Sequence, residues 1–122
     1  MTQEEKQLLL KDLCARLPYY VNVNILDNWS YDNLPPYHRS LDVDIIDGIR
    51  TNRYTVKPYL RPMPSMTDGE LKEWTTLLNF VNENRLDKSI DWLNAHHFDY
   101  RGLIEMGLAL EAPEDMYKDK NE

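Results

Sequence analysis

The chain has 122 residues, a formal net charge of −7, 42% hydrophobic residues and a single cysteine, Cys14. That length suits one domain which buries roughly two thirds of its unfolded surface and needs no disulfide or metal to hold it. The lone cysteine excludes an intrachain disulfide framework and a cysteine-built zinc site, and the acidic balance argues against a protein that works mainly by neutralising phosphates. No segment approaches the roughly 18 apolar residues of a membrane span, so the expected address is cytoplasmic and the sequon Asn28-Trp29-Ser30 is a chance match.

Thr2 followed by Glu5 is a capping box and predicts a first helix over Gln3 to Leu17, stopped by Pro18. Leu9, Leu13 and Leu17 recur every four residues, with Leu10 and Cys14 widening the stripe, so Cys14 reads as a small buried hydrophobe. Tyr20 to Leu26 alternates, with Val21, Val23 and Ile25 on one face and Asn22 and Asn24 on the other, as a half-buried strand does. Asp27 to Ser40 has no period and reads as a loop. Leu41, Val43 and Ile45 alternate with Asp42 and Asp44, which predicts a second strand. Asp47-Gly48 then reads as a hairpin turn pairing Asp42 with Arg53 and Leu41 with Tyr54; a turn at Asn52-Arg53, pairing Ile49 with Val56, is the competing register.

Pro58, Pro62 and Pro64 keep the next stretch extended. A second capping box, Thr67 with Glu70, and a staple between Met66 and Leu71 open a helix that carries Leu71, Trp74, Leu78 and Val81 to about Asn82. A shorter helix within Leu86 to His97 carries Ile90 and Leu93. Asp99 is placed to cap a last helix through Leu103 and Ile104, closed by Gly107, and Leu108 and Leu110 suit a short closing strand. The order predicts an α+β fold: an N-terminal helix, a small three-stranded antiparallel sheet, then two or three helices covering one face. Residues 1–112 form the expected domain, and 113–122 a charged, frayed tail.

The four glycines are too scattered for a phosphate-cradling loop, and no dinucleotide fingerprint, P-loop or nucleophile elbow is present. His96-His97 invites a metal, but neighbours on a helix point about 100° apart, so packing or capping is the preferred role and no metal or cofactor is expected. Asp42-x-Asp44-x-x-Asp47-Gly48 fails as a calcium loop, because Ile46, Asp47 and Arg53 stand where ligand, glycine and glutamate belong.

Two segments carry candidate binding chemistry. Gly48 to Thr67 holds Arg50, Arg53, Lys57 and Arg61 and no acid, a local +4 that leaves −11 on the remainder. If this stretch is extended, Arg53, Lys57 and Arg61 share one face and form a candidate anion site; the alternative is cross-strand pairing with acids. The loop from Asp27 to Arg39 has the palette of a recognition loop, with Trp29, Tyr31 and Tyr37 as candidate partner contacts; the alternative is that its aromatics fold back as a lid on the core.

The stretches EEKQLLLKDLCARLPY, KPYLRPMPSMT and WLNAHHFDYRGLIEMGLALEAPEDMY resemble a family of short uncharacterised proteins from gut Bacteroidales genomes, prophages and phages. The resemblance covers roughly half of the chain and brings no assigned activity or functional residue. It implies a bacterial or phage setting, in which small acidic proteins often act by binding. The expectation is a non-enzymatic protein-binding module, regulator or inhibitor; the alternatives are a nucleic-acid-associated regulator and an enzyme of unrecognised type.

Overall fold

The computed structural model describes residues 1–32, 34–79 and 85–117. Helix α1 (Gln3–Arg16) opens on the expected capping box: the Thr2 hydroxyl accepts the Glu5 N–H at 3.0 Å, and the Glu5 carboxylate accepts the Thr2 N–H at 2.8 Å. Pro18 falls inside a 3-10 turn over Leu17–Tyr19, and Tyr20 in the left-handed region turns the chain into strand β1 (Asn22–Asp27). Strand β2 (Tyr37–Ser40) comes next, then helix α2 (Val43–Arg50) and the long strand β3 (Tyr54–Pro62). After a second 3-10 turn come helices α3 (Asp68–Asn79) and α4 (Arg85–Ala95), and the two-residue strands β4 (Phe98–Asp99) and β5 (Leu110–Glu111).

The fold is α+β, but the sheet has five strands and is mixed. β1 lies between β2 and β3 and is antiparallel to both; β3 pairs in parallel with β4 at Arg61 and Pro62, and with β5 at Tyr59 and Leu60. The three-stranded antiparallel expectation therefore holds only for β2–β1–β3, and those strands are not the expected ones. Tyr37–Ser40, read as loop, is a strand, whereas the predicted strand Leu41–Ile46 lies mostly in α2.

Two patterns coexist in that segment. Leu41, Val43 and Ile45 alternate, but Leu41, Ile45 and Ile49 recur every four residues, and it is these three that are buried while Val43 stays exposed. Asp42 decides the start, since its carboxylate accepts the Ile45 N–H at 2.9 Å as an N-cap. The helical spacing places a three-residue apolar stripe on the sheet, which the strand reading could not do. Asp47-Gly48 is thus helix interior, and neither expected hairpin register exists. Gly48 is required by packing: a Cβ there would fall 2.0 Å from Cδ2 of Tyr54. The chain reverses after the helix, where Asn52 takes a positive φ of 65°.

The main core lies between the inner sheet face and the first two helices. It gathers Leu9 and Leu13 of α1, Ile45 and Ile49 of α2, Val21, Val23, Ile25, Val56 and Leu60 from the strand layer, and Leu103, Leu108 and Ala109. Burial of each Val, Leu or Ile side chain among them is worth roughly 1.5–3 kcal/mol. The C-terminal helices do not cover this face. They build a second cluster of Trp92, Leu93 and Phe98, with Met63, Met66, Trp74, Leu77 and Tyr100 packed around it. The Thr67–Glu70 capping box forms, but Leu71, expected to staple against Met66, stays 48% exposed. Val81 and Asn82, the predicted end of that helix, lie outside the described residues.

Cys14 is exposed rather than buried, and a charged pair takes the interior of α1 instead. Asp12 and Arg16 are both fully buried, joined at 2.8 Å; Arg16 also donates to the Phe98 carbonyl at 2.7 Å, and Arg101 reaches Asp12 at 3.1 Å. Tyr100 and Asn94 extend this network, which ties α1 to α4 and to the segment after β4. Asp99 accepts the N–H groups of Leu103 and Ile104, as expected of a cap, but the segment it caps is a run of turns rather than a helix, closed at Gly107 with φ of 77°.

Of the segment 113–122, expected to fray, residues 118–122 lie outside the described residues, and Tyr117 is tied to the sheet. The Tyr117 hydroxyl accepts the Asn22 N–H at 2.9 Å and donates to the Tyr59 carbonyl at 2.7 Å, so it stands between β1 and β3 where their ladder ends. Its ring stacks on His97 at 3.8 Å.

Candidate interaction surface

The loop between β1 and β2 is built on a clamped base. Asn28 donates its backbone N–H to the Arg53 carbonyl at 2.7 Å, and its side chain bonds both Thr55 Oγ1, at 3.0 Å, and the Asn52 carbonyl. The Asp27 carboxylate accepts the Trp29 N–H at 3.0 Å, an Asx-type turn that a short acceptor side chain at this position makes by itself. Arg53 completes the base: it pairs with Asp27 at 3.4 Å, and its guanidinium lies 5.8 Å from the Trp29 ring centroid and 5.0 Å from that of Tyr54. An indole held against a guanidinium loses little freedom on binding, because its orientation is set beforehand.

Beyond this base the aromatics face water. Trp29 is 58% exposed, Tyr31 99%, Tyr37 42%, and the apolar Leu34 between them 59%. None belongs to either core cluster, so the loop does not act as a lid. Tyr37 differs from the other two in lying on β2, a position that aperiodic sequence did not reveal.

The three cations of the candidate anion stripe are dispersed among different tasks. Arg53 is held by Asp27 and the two rings. Arg61 makes a two-pronged contact with Glu70, at 2.6 and 2.8 Å, and lies 4.2 Å over the Phe98 ring. That guanidinium holds the Glu70 carboxyl down at about 2. Arg50, from the same basic segment, pairs with Asp47. Lys57 sits on the outer sheet face across from Asn24 and is the one member of the stripe without an ion pair among the described residues.

The adjacent histidines lie just beyond α4, not on it, and diverge because His97 takes a left-handed backbone conformation. His96 stacks on Trp92 at 4.1 Å, whereas His97, with φ of 65°, stacks on Tyr117. Burial, together with the positive charges of Arg16, His96 and Arg61, pushes the His97 imidazole down to about 4 and keeps it neutral. Among the described residues no group of three His, Cys, Asp or Glu side chains is gathered to hold a metal ion. Among the described residues, shallow cavities of about 420 Å³ beside Trp92 and Leu77 and about 300 Å³ beside Leu9 and Met106 are not lined by the aromatic loop. No helix among the described residues is long and apolar enough to cross a membrane.

No protein-family model matches the chain, and neither a curated protein nor a solved structure matches it.

Proposed function

We propose that this chain is a protein-binding module whose contact centre is the loop running from Asp27 to Tyr37. The observation that carries this reading is the preset, solvent-facing Trp29, more than half exposed and stacked on Arg53 above a hydrogen-bonded base. Trp, Tyr and Arg are the side chains that most often dominate binding energy at protein interfaces, and this segment exposes Trp29, Tyr31 and Tyr37 with Arg53 beside the indole. A nucleic-acid role has less support, because Arg53 and Arg61 are already committed to carboxylates.

The resemblance to Bacteroidales and phage proteins directs the search for the partner to such a host or its phages. Trp29→Ala tests the module. It removes a side chain that is more than half exposed and outside both core clusters, with the Arg53 contact its main loss, so the stability falls by no more than about 1 kcal/mol. Against a captured partner, the same change costs on the order of 2 kcal/mol or more of affinity. A stability loss of about 3–5 kcal/mol, the cost of deleting a buried aromatic, contradicts the proposal whatever the partner does.

A further inference from the structure

Strand β2 has a free edge whose chemistry can be worked out from the ladder beside it. Leu41 donates its N–H to the Val21 carbonyl at 2.8 Å, and backbone groups alternate sides along a strand. Tyr37, Arg39 and Leu41 therefore turn their N–H and C=O toward β1. His38 and Ser40 turn theirs away, and all four residues of β2 are exposed. Among the described residues no strand lies on that side. Pro36, just before the strand, adds a carbonyl but no donor.

We propose that this edge pairs with the same edge of a second copy of the chain, antiparallel about a two-fold axis at His38, to join the two sheets through one ladder. An isologous contact must complement itself, so each residue meets a fixed counterpart. An axis at Arg39 opposes two arginines. An axis at His38 instead sets Arg39 opposite Tyr37, on one face, where a guanidinium and a phenol ring attract. The two His38 residues then exchange both backbone bonds, and each Ser40 N–H meets a Pro36 carbonyl, so the proline's missing donor leaves no N–H stranded. The same alignment carries Leu34 of one copy, 59% exposed, toward Val43 and Tyr20 of the other, 66% and 74% exposed. Those two flank the Val21–Leu41 bond at the opposite end of the strand, so an otherwise unexplained apolar pair gains a neighbour. Each copy carries −7, so added salt strengthens the association by screening the repulsion. Trp29, which leans toward β3 through Arg53, takes no part; Tyr37 and Leu34 are shared with the proposed contact loop, so the dimer and a partner seated on those two residues would compete, whereas one centred on Trp29 would not.

Sedimentation velocity of the full chain up to roughly 100 μM is the test, with the expected species at twice 14.5 kDa. Ser40→Pro removes an outward donor without touching the β1 ladder, and raises the dimer dissociation constant about tenfold or more, while Ser40→Ala does not. His38→Glu sets two carboxylates against each other at the axis and abolishes the dimer; His38→Gln preserves it. Both residues are exposed, and a thermal melt verifies that each variant folds. Trp29→Ala leaves the dimer intact, which separates this test from that of the loop. A monomer at the highest concentration overturns the proposal and makes Arg39 and the prolines guards of the edge. A dimer that tolerates Ser40→Pro lies elsewhere on the surface, and one that tolerates His38→Glu refutes the axis.

Discussion

Gly48 offers a test in which the sign of an effect, rather than its size, decides the outcome. In an ordinary helix interior, Gly→Ala stabilises by about 0.8–1.0 kcal/mol, because the added methyl restricts the unfolded chain and screens the backbone. Here the new Cβ would lie 2.0 Å from Cδ2, 2.5 Å from Cε2 and 2.9 Å from Cγ of Tyr54. Rotating the ring about its own axis cannot relieve a contact that includes Cγ, so the whole side chain must swing away. That movement pulls the ring off the core cluster it borders and off the Arg53 guanidinium. Overpacking typically costs about 1–3 kcal/mol, and contacts this short put the cost in the upper part of that range, about 2–3 kcal/mol, so Gly48→Ala is expected to destabilise by about 1–2 kcal/mol net of the propensity gain. In a Tyr54→Ala background the obstacle is gone and the same substitution should stabilise by about 0.5–1 kcal/mol. Urea denaturation of the four proteins of this cycle, read by far-UV circular dichroism, gives both numbers. Stabilisation of the parent by Gly48→Ala would falsify the packing of α2 on Tyr54, since it requires a helix face free of the ring.

Removing the buried carboxylate with Asp12→Ala leaves Arg16 charged and without its partner, and should cost about 3–5 kcal/mol in chemical denaturation; a loss below about 1 kcal/mol would show that water reaches the site. Tyr117→Phe deletes the hydroxyl between Asn22 and Tyr59 and should cost about 1–3 kcal/mol, with amide exchange at Asn22 accelerated; unchanged exchange there rules out the bridge. The His97 imidazole, held down to about 4 in the fold against 6.5 in the unfolded chain, binds its proton more readily when unfolded. Its contribution is thus fully present above pH 6.5 and is lost as pH falls through 4, on the order of 3 kcal/mol in all. His97→Gln should flatten the stability profile across that window relative to the parent; an identical slope would mean that the ring is solvated. Glu70, held at about 2 by Arg61, loses its contribution in the other acid window, as pH falls from 4.5 through 2.

The parts of the fold legible from sequence are those fixed by neighbours within a few residues. Both capping boxes, the alternation of β1 and the Asp99 cap involve groups two to five positions apart, and each stands where the sequence places it. The aromatic loop was legible in composition, because Trp and Tyr without a period signal either a binding ridge or a lid. Its exposure was not, since that depends on Arg53, twenty-four residues after Trp29, holding the indole outward. β2 carried no signal at all: Tyr37, His38, Arg39 and Ser40 are exposed on both faces, and a strand with no buried face has no alternation to show.

Sequence by itself therefore determined the α+β class, the first helix, the first strand and the two capped helix starts, because local hydrogen bonds and apolar periods act before any tertiary contact forms. The tertiary structure decided between two periods in Leu41–Ile49, where the four-residue spacing prevailed because only a helix could set Leu41, Ile45 and Ile49 together on the sheet. It also decided that Asp12 and Arg16, which on a lone helix read as a solvated i, i+4 pair, are interior. Their charges are matched by the Phe98 carbonyl and Arg101, more than eighty residues away. The two-residue strands β4 and β5 and the seat of Tyr117 belong to the same class. Each is held by bonds to β3, and a segment that short has no preference strong enough to fold without the strand that receives it.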